Sequence, residues 1–276
     1  MNEIELSAGT IRYRETGDGP PLVFVHGIVV DGTLWRKVTP GLESKFRCIV
    51  PDWPLGSHTK AMKPDADLTP PGLARLITEF IEKKDLRDVT LVANDTGGAL
   101  TQIALANGGT DRIARVVLTP CDSFDNFLPP MFKPLQLLAH VPGAVYPVAQ
   151  SLRLNAGRRL PIAFGWLAKR PVPKDVSAGW VRPIQHDRGV RRDTAKLLRG
   201  VNKSYTLDAA DKLRGFDKPV LIAWATEDKF FPLEHAHKLA DILPQAHVEE
   251  IEDSRTYVSE DQPERLTRLI AEFAGR

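Results

Sequence analysis

The 276-residue chain lacks several features that would tie it to broad protein classes. It has two cysteines, Cys48 and Cys121. That is too few for a disulfide framework, and they lack metal-ligand spacing, so both are expected to be buried hydrophobes. No stretch approaches the roughly 18 apolar residues of a membrane span. The opening Met1-Asn2-Glu3-Ile4-Glu5 lacks the basic and apolar regions of a secretory leader, so a cytoplasmic location and no membrane partner are expected. No internal repeat, Gly-rich phosphate loop or cluster of metal ligands is present, so no metal, nucleotide or flavin cofactor is expected. With 42% hydrophobic and 26% charged residues, the composition is that of a globular chain. A disordered or fibrous protein is excluded.

The formal net charge of +2 hides an asymmetry. Residues 121–215 carry 16 Lys and Arg against 7 Asp and Glu, which leaves the remainder net acidic. This basic block lacks interleaved aromatics, a zinc finger or an RNA motif, so a nucleic-acid partner is not expected. A solvated helical face or a lid that attracts an acidic substrate explains it better.

Short apolar runs recur along the chain: Leu22–Val25, Cys48–Val50, Val89–Ala93, Ile113–Leu118, Pro219–Trp224 and His247–Ile251. Each reads as a strand buried on both faces. A weakly alternating stretch, Ile4–Glu15, precedes the turn Gly17-Asp18-Gly19-Pro20-Pro21. Helical patterns at 73–84, 98–106, 233–243 and 263–273 lie between the runs. Strands alternating with helices predict a mostly parallel, doubly wound sheet of about eight strands. The pattern breaks once, over residues 121–207, where only helix-compatible segments and prolines occur. Residues 1–120 and 208–276 are therefore read as the core and 121–207 as an inserted helical lid. The lid would cover the C-terminal edge of the sheet, where ligands of open α/β sheets bind.

The segment Val92-Ala93-Asn94-Asp95-Thr96-Gly97-Gly98 follows a strand and opens a helix, the setting of a nucleophile elbow. The small residues allow a sharp turn that forces the central side chain out at the top of the sheet. That residue is Asp95. The helix N-terminus beneath it favours an ionised, attacking carboxylate; the alternative is a plain N-cap.

With this elbow in place, the chain resembles the α/β-hydrolase superfamily over nearly its whole length. An Asp at the elbow is similar to the haloalkane dehalogenase and epoxide hydrolase branch. His26-Gly27 resembles the oxyanion-loop dipeptide. Pro51-Asp52-Trp53-Pro54-Leu55-Gly56-Ser57 resembles the loop after the next strand. Trp224–Pro232 resembles the loop carrying the triad acid, which the resemblance makes Asp228. It further implies an oxyanion hole from the backbone N–H groups of Ile28 and Thr96.

The chain departs from that pattern where a Gly-His pair precedes the last helix. Arg255 stands for the Gly and Thr256 for the catalytic His, within Glu252–Val258. Thr96 stands where dehalogenases carry a halide-binding Trp, and Ile28-Val29-Val30 lacks the Pro of epoxide hydrolases. An Asp nucleophile forms an ester that the His normally helps water to cleave. Without it, another base must act, the reaction must avoid hydrolysis, or the fold must only bind. His58 and His186 are the candidate bases. Arg255 would pair with Asp228 or hold an anionic substrate group. Asp122 reads as a lid-helix cap or an alternative acid. Trp53, Phe124, Phe127, Phe132, Trp166 and Tyr205 are candidate pocket walls for a small apolar molecule. Three functions follow: a hydrolase of a small ester, halide or epoxide, a non-hydrolytic enzyme using Asp95 as general base, or a silent ligand binder.

Overall fold

The computed structural model describes residues 1–276. Eight strands form one sheet: β1 (Asn2–Leu6), β2 (Gly9–Thr16), β3 (Pro21–Val25), β4 (Arg47–Pro51), β5 (Val89–Asp95), β6 (Ile113–Cys121), β7 (Val220–Ala225) and β8 (Ala246–Ile251). Their order is β1-β2-β4-β3-β5-β6-β7-β8. β1 pairs antiparallel with β2, and β2 antiparallel with β4. All pairs from β4 to β8 are parallel. The alternating Ile4–Glu15 stretch is thus two strands, because the chain reverses at Ser7-Ala8 and Leu6 pairs with Gly9. β5 is buried at every residue. Its apolar run reflects a central strand covered on both faces.

Eleven α-helices complete the fold. α1 (Pro70–Lys83) is capped by the Thr69 hydroxyl, which accepts from the Gly72 N–H and so satisfies one orphan donor of the first turn. α2 (Thr96–Ala106) is buried from Thr96 to Leu105. It is apolar nearly all round because the sheet, α1 and a later helix enclose it. The strand-free segment between β6 and β7 contributes α3 (Lys133–Leu138), α4 (Val145–Ser151), α5 (Asn155–Arg158), α6 (Lys174–His186) and α7 (Arg188–Gly200). α8 (Lys203–Leu213) packs on α2, so the helix spanning the expected boundary at 207 lies against the core. The chain ends with α9 (Leu233–Ile242), α10 (Val258–Asp261) and α11 (Pro263–Ala274). One contiguous cluster of 82 buried hydrophobic residues unites sheet and helices. Cys48 and Cys121 are free and buried within it.

Candidate active site

Asp95 ends β5 and caps α2 with φ 55° and ψ −135°. A non-glycine residue holds this conformation only where its surroundings over-determine it. Three glycines make the room. A Cβ on Gly27 would lie 2.4 Å from Asp95 Oδ2, and one on Gly98 2.3 Å from Cys121 Cβ. A Cβ on Gly97 would meet the His26 carbonyl oxygen at 2.5 Å. The β5–β6 register also shifts between Ala93 and Asp95, so the ladder itself bends at the elbow.

The carboxylate is buried, and its Oδ1 accepts from the Thr96 N–H at 2.7 Å and lies 3.4 Å from the Thr96 hydroxyl. Burial raises its pKa to about 7; the Thr96 N–H opposes the rise and the nearby Asp228 charge adds to it. The helix N-terminus therefore does not keep Asp95 firmly ionised at neutral pH, because desolvation outweighs two hydrogen bonds. Asp228 sits in the loop after β7, where its Oδ1 accepts from the N–H groups of Phe230 and Phe231 at 2.7 and 2.8 Å. Burial pushes its pKa up to about 6. Asp228 Oδ2 and the Thr256 hydroxyl lie near enough for the hydroxyl to lower the Asp228 pKa, yet neither atom reaches full hydrogen-bond geometry with any partner.

Above Asp95 lies a cavity of about 250 Å³ lined by 25 residues, 19 of them hydrophobic. Asp95 is the one charged residue among them; Ser151 and Thr194 supply the only other polar side chains. Ile28 and Val29, in the loop after β3, form one wall. Val29 takes φ 56°, which β-branched residues avoid, and its N–H is anchored on the Leu55 carbonyl at 2.9 Å. The Ile28 N–H donates to no protein acceptor, whereas the Thr96 N–H already donates to Asp95.

Several expected site residues lie elsewhere. Trp53 is buried outside the cavity, its indole N–H donating to the Phe24 carbonyl at 3.0 Å. His58 is also buried outside it: one ring nitrogen lies 3.2 Å from Asp193 of α7 and the other accepts from the Gly56 N–H. It ties the sheet edge to the strand-free segment and has no free nitrogen for water. His186 ends α6 exposed, and no histidine lines the cavity. His26 accepts from the Trp53 N–H, and burial lowers its pKa to about 4.

Arg255 makes no ion pair with Asp228 within bonding distance. Its backbone N–H donates to Asp261, and its charge only modestly lowers the Asp228 pKa. Thr256 is buried, its carbonyl accepting from Asn94 Nδ2 at 2.8 Å. Asp122 caps no helix, since the chain after it forms a short bridge between Ser123 and Asn126. Of the expected aromatic walls, Phe132 lines the cavity. Trp166, Phe124, Phe127 and Tyr205 do not, while Phe164, Phe230 and Phe231 do. Phe230-Phe231, directly beside Asp228, carried a readable signal; Phe164 carried none.

The fold and elbow define a class of protein, and residues 20–263 match the family model described as the alpha/beta hydrolase fold. The chain belongs to that family. It is 26% identical over 279 residues to haloalkane dehalogenase 2 of Mycobacterium tuberculosis, covering 98% of this chain and 93% of that one. It is also 26% identical over 283 residues to the cis-3-alkyl-4-alkyloxetan-2-one decarboxylase of Xanthomonas campestris, covering 94% and 89%. Among solved structures, haloalkane dehalogenase DbeA of Bradyrhizobium elkani superposes with a TM-score of 0.81 at 21% identity, covering 99% and 97%. The same fold recurs in a thermophilic esterase of Thermogutta terrifontis, with a TM-score of 0.72 at 21% identity over 99% and 97%.

Proposed function

We propose that this protein is an enzyme in which Asp95 attacks a small, largely apolar electrophile: an alkyl halide, an epoxide or an ester-like compound. The observation that carries this reading is the placement of a single carboxylate, at an elbow with φ 55°, on the wall of an otherwise apolar cavity. A buried carboxylate facing an apolar ligand loses little solvation on binding it and attacks undamped by water. In the attack, an Asp95 oxygen forms a bond to the substrate carbon while the carbon–halogen or ring carbon–oxygen bond breaks. The electron pair leaves with the halide or alkoxide. The Ile28 N–H is the donor free to meet that developing charge. The product is an alkyl ester on Asp95 from a halide or epoxide, or a mixed anhydride from an ester-like substrate, whose acyl carbon–oxygen bond breaks with loss of the alkoxide. With no imidazole on the cavity, its hydrolysis is slowed by about 10² to 10⁴.

A second reading has specific support. A carboxyl with a pKa of about 7 is matched to general-base work near neutral pH. Together with the oxetan-2-one decarboxylase relative, this favours a reaction that needs no hydrolytic step.

Intact-protein mass spectrometry after incubation with alkyl halides, epoxides and activated esters separates the readings. A stable adduct absent from Asp95→Asn supports the nucleophile. Turnover without water incorporation and without adduct supports the general base. Neither adduct nor turnover across the panel overturns both in favour of ligand binding alone.

A further inference from the structure

The exposed apolar surface is concentrated in one place. Eleven large hydrophobic side chains are exposed, and nine of them lie between Met131 and Trp166 in the strand-free segment. Leu138, Leu160 and Ile162 are at once exposed and part of the cavity wall. The exposed apolar patch and the cavity therefore meet at these three residues. Monomeric proteins rarely expose apolar area in this concentration without a partner.

The charge of this segment is of one sign. Residues 126–174 contain seven Lys and Arg and no Asp or Glu. Lys169 and Arg170 are held by Glu227 and Asp253 of the core. Lys133, Arg153 and Arg159 are exposed and make no ion pair. Trp166 and Tyr146, with apolar bodies and polar tips, lie in the same segment and are exposed. Exposed aliphatics, interfacial aromatics and free cations together fit the boundary of an anionic bilayer. A second copy of the same face would oppose its cations to their own kind, which disfavours self-association.

We propose that the mouth of the cavity docks on an anionic lipid surface, so that apolar substrate enters from the bilayer without crossing water. The absence of a helix long and apolar enough to span a membrane bears on spanning, not on surface docking. The proposal concerns how ligand reaches the cavity and does not depend on the chemistry at Asp95.

Trp166 is a built-in reporter, because the other four tryptophans are buried. Vesicles of phosphatidylcholine, with and without phosphatidylglycerol, are titrated with the full chain, and brominated phosphatidylcholine serves as quencher. Binding about tenfold tighter to phosphatidylglycerol vesicles is expected, weakening in high salt, with quenching of Trp166. Leu160→Glu with Ile162→Glu weakens binding by about tenfold or more, and so does Arg153→Glu with Arg159→Glu. All four positions are exposed, and thermal unfolding checks that these variants stay folded. Asp95→Asn binds as the parent does, which separates failure here from failure of the catalytic reading. No quenching, or equal binding to neutral and anionic vesicles, overturns the proposal. So does a dimer in light scattering that Leu160→Glu with Ile162→Glu dissolves, in the absence of vesicle binding.

Discussion

Asp95 and Asp122 share one hydroxyl: Thr96 Oγ1 lies 3.4 Å from Asp95 Oδ1 and 3.3 Å from Asp122 Oδ2. Asp122 is fully buried, and its pKa is raised well above the ordinary carboxylate range by burial and by the Asp95 charge. The Thr96 hydroxyl is placed to donate to either carboxyl group, and its bond to Asp95 lowers the Asp95 pKa. That bond favours the ionised form of Asp95. Thr96→Val keeps the backbone N–H and removes the hydroxyl. The pH midpoint of Asp95 alkylation then moves up, and the rate at pH 7 falls by about threefold to tenfold. An unmoved midpoint counts against the bridge.

The pH profile of the parent follows from the same carboxylate. Attack needs the ionised form, so adduct formation rises through a midpoint near 7 and levels off above it. Quenched-flow mass spectrometry from pH 5 to 9 measures this. A flat profile down to about pH 5 would show Asp95 to be an ordinary carboxylate.

Stability runs the other way. The folded pKa of Asp95 is raised from 3.8 to about 7, so folding favours the protonated form. This contribution is fully present below the unfolded pKa and is lost as pH rises through about 7. Asp95→Asn, neutral at every pH, is expected to unfold several degrees higher than the parent at pH 8, a gain of about 1–3 kcal/mol. The advantage shrinks to nothing near pH 4. Calorimetry at both pH values decides it; an advantage that is equal at both would point to packing rather than charge.

Thr256→His tests the ester-cleaving step of the proposed reaction. The Asp228 Oδ2 and Thr256 Oγ1 atoms are both unpartnered, so an imidazole at 256 gains a carboxylate to orient it. Overpacking at this buried position costs about 1–3 kcal/mol. Decay of the Asp95 ester is expected to speed up by about 10² or more, read as adduct lifetime. An adduct that persists unchanged would show that a base at 256 does not reach the ester.

Gly27→Ala tests the elbow from the opposite wall. The added Cβ would sit 2.4 Å from Asp95 Oδ2 and 2.6 Å from its Cβ, so Asp95 as a whole must shift and its carboxylate leave its position. Alkylation is expected to fall by at least about tenfold, since misplacement on this scale is costly, while far-UV circular dichroism stays unchanged. Parent-like alkylation would mean that the carboxylate has a second productive position.

Much of the architecture was legible because it is local. The buried strands announce themselves as apolar runs, and the small residues around Asp95 announce a sharp strand-to-helix turn. The hairpin at Ser7-Ala8 was not legible, since a weak alternation continues through it. The membership of the cavity was least legible. Trp53 and Phe132 are both aromatic, yet Trp53 turns its N–H to Phe24 in the core while Phe132 faces the cavity. Sequence spacing carries no information about which way a lid segment folds back.

From sequence came the order of strands and helices along the chain, the strand-free stretch after β6 and a carboxylate at the elbow, all set by backbone geometry and hydrophobic period over a few residues. Tertiary structure alone decided the rest. It gave His58 to Asp193, separated Arg255 from Asp228, and made Asp95 the lone charge of an apolar cavity. The first of these depends on segments 135 residues apart meeting across the sheet edge. The pKa of a carboxylate is set by what surrounds it in space, not by its neighbours in the chain.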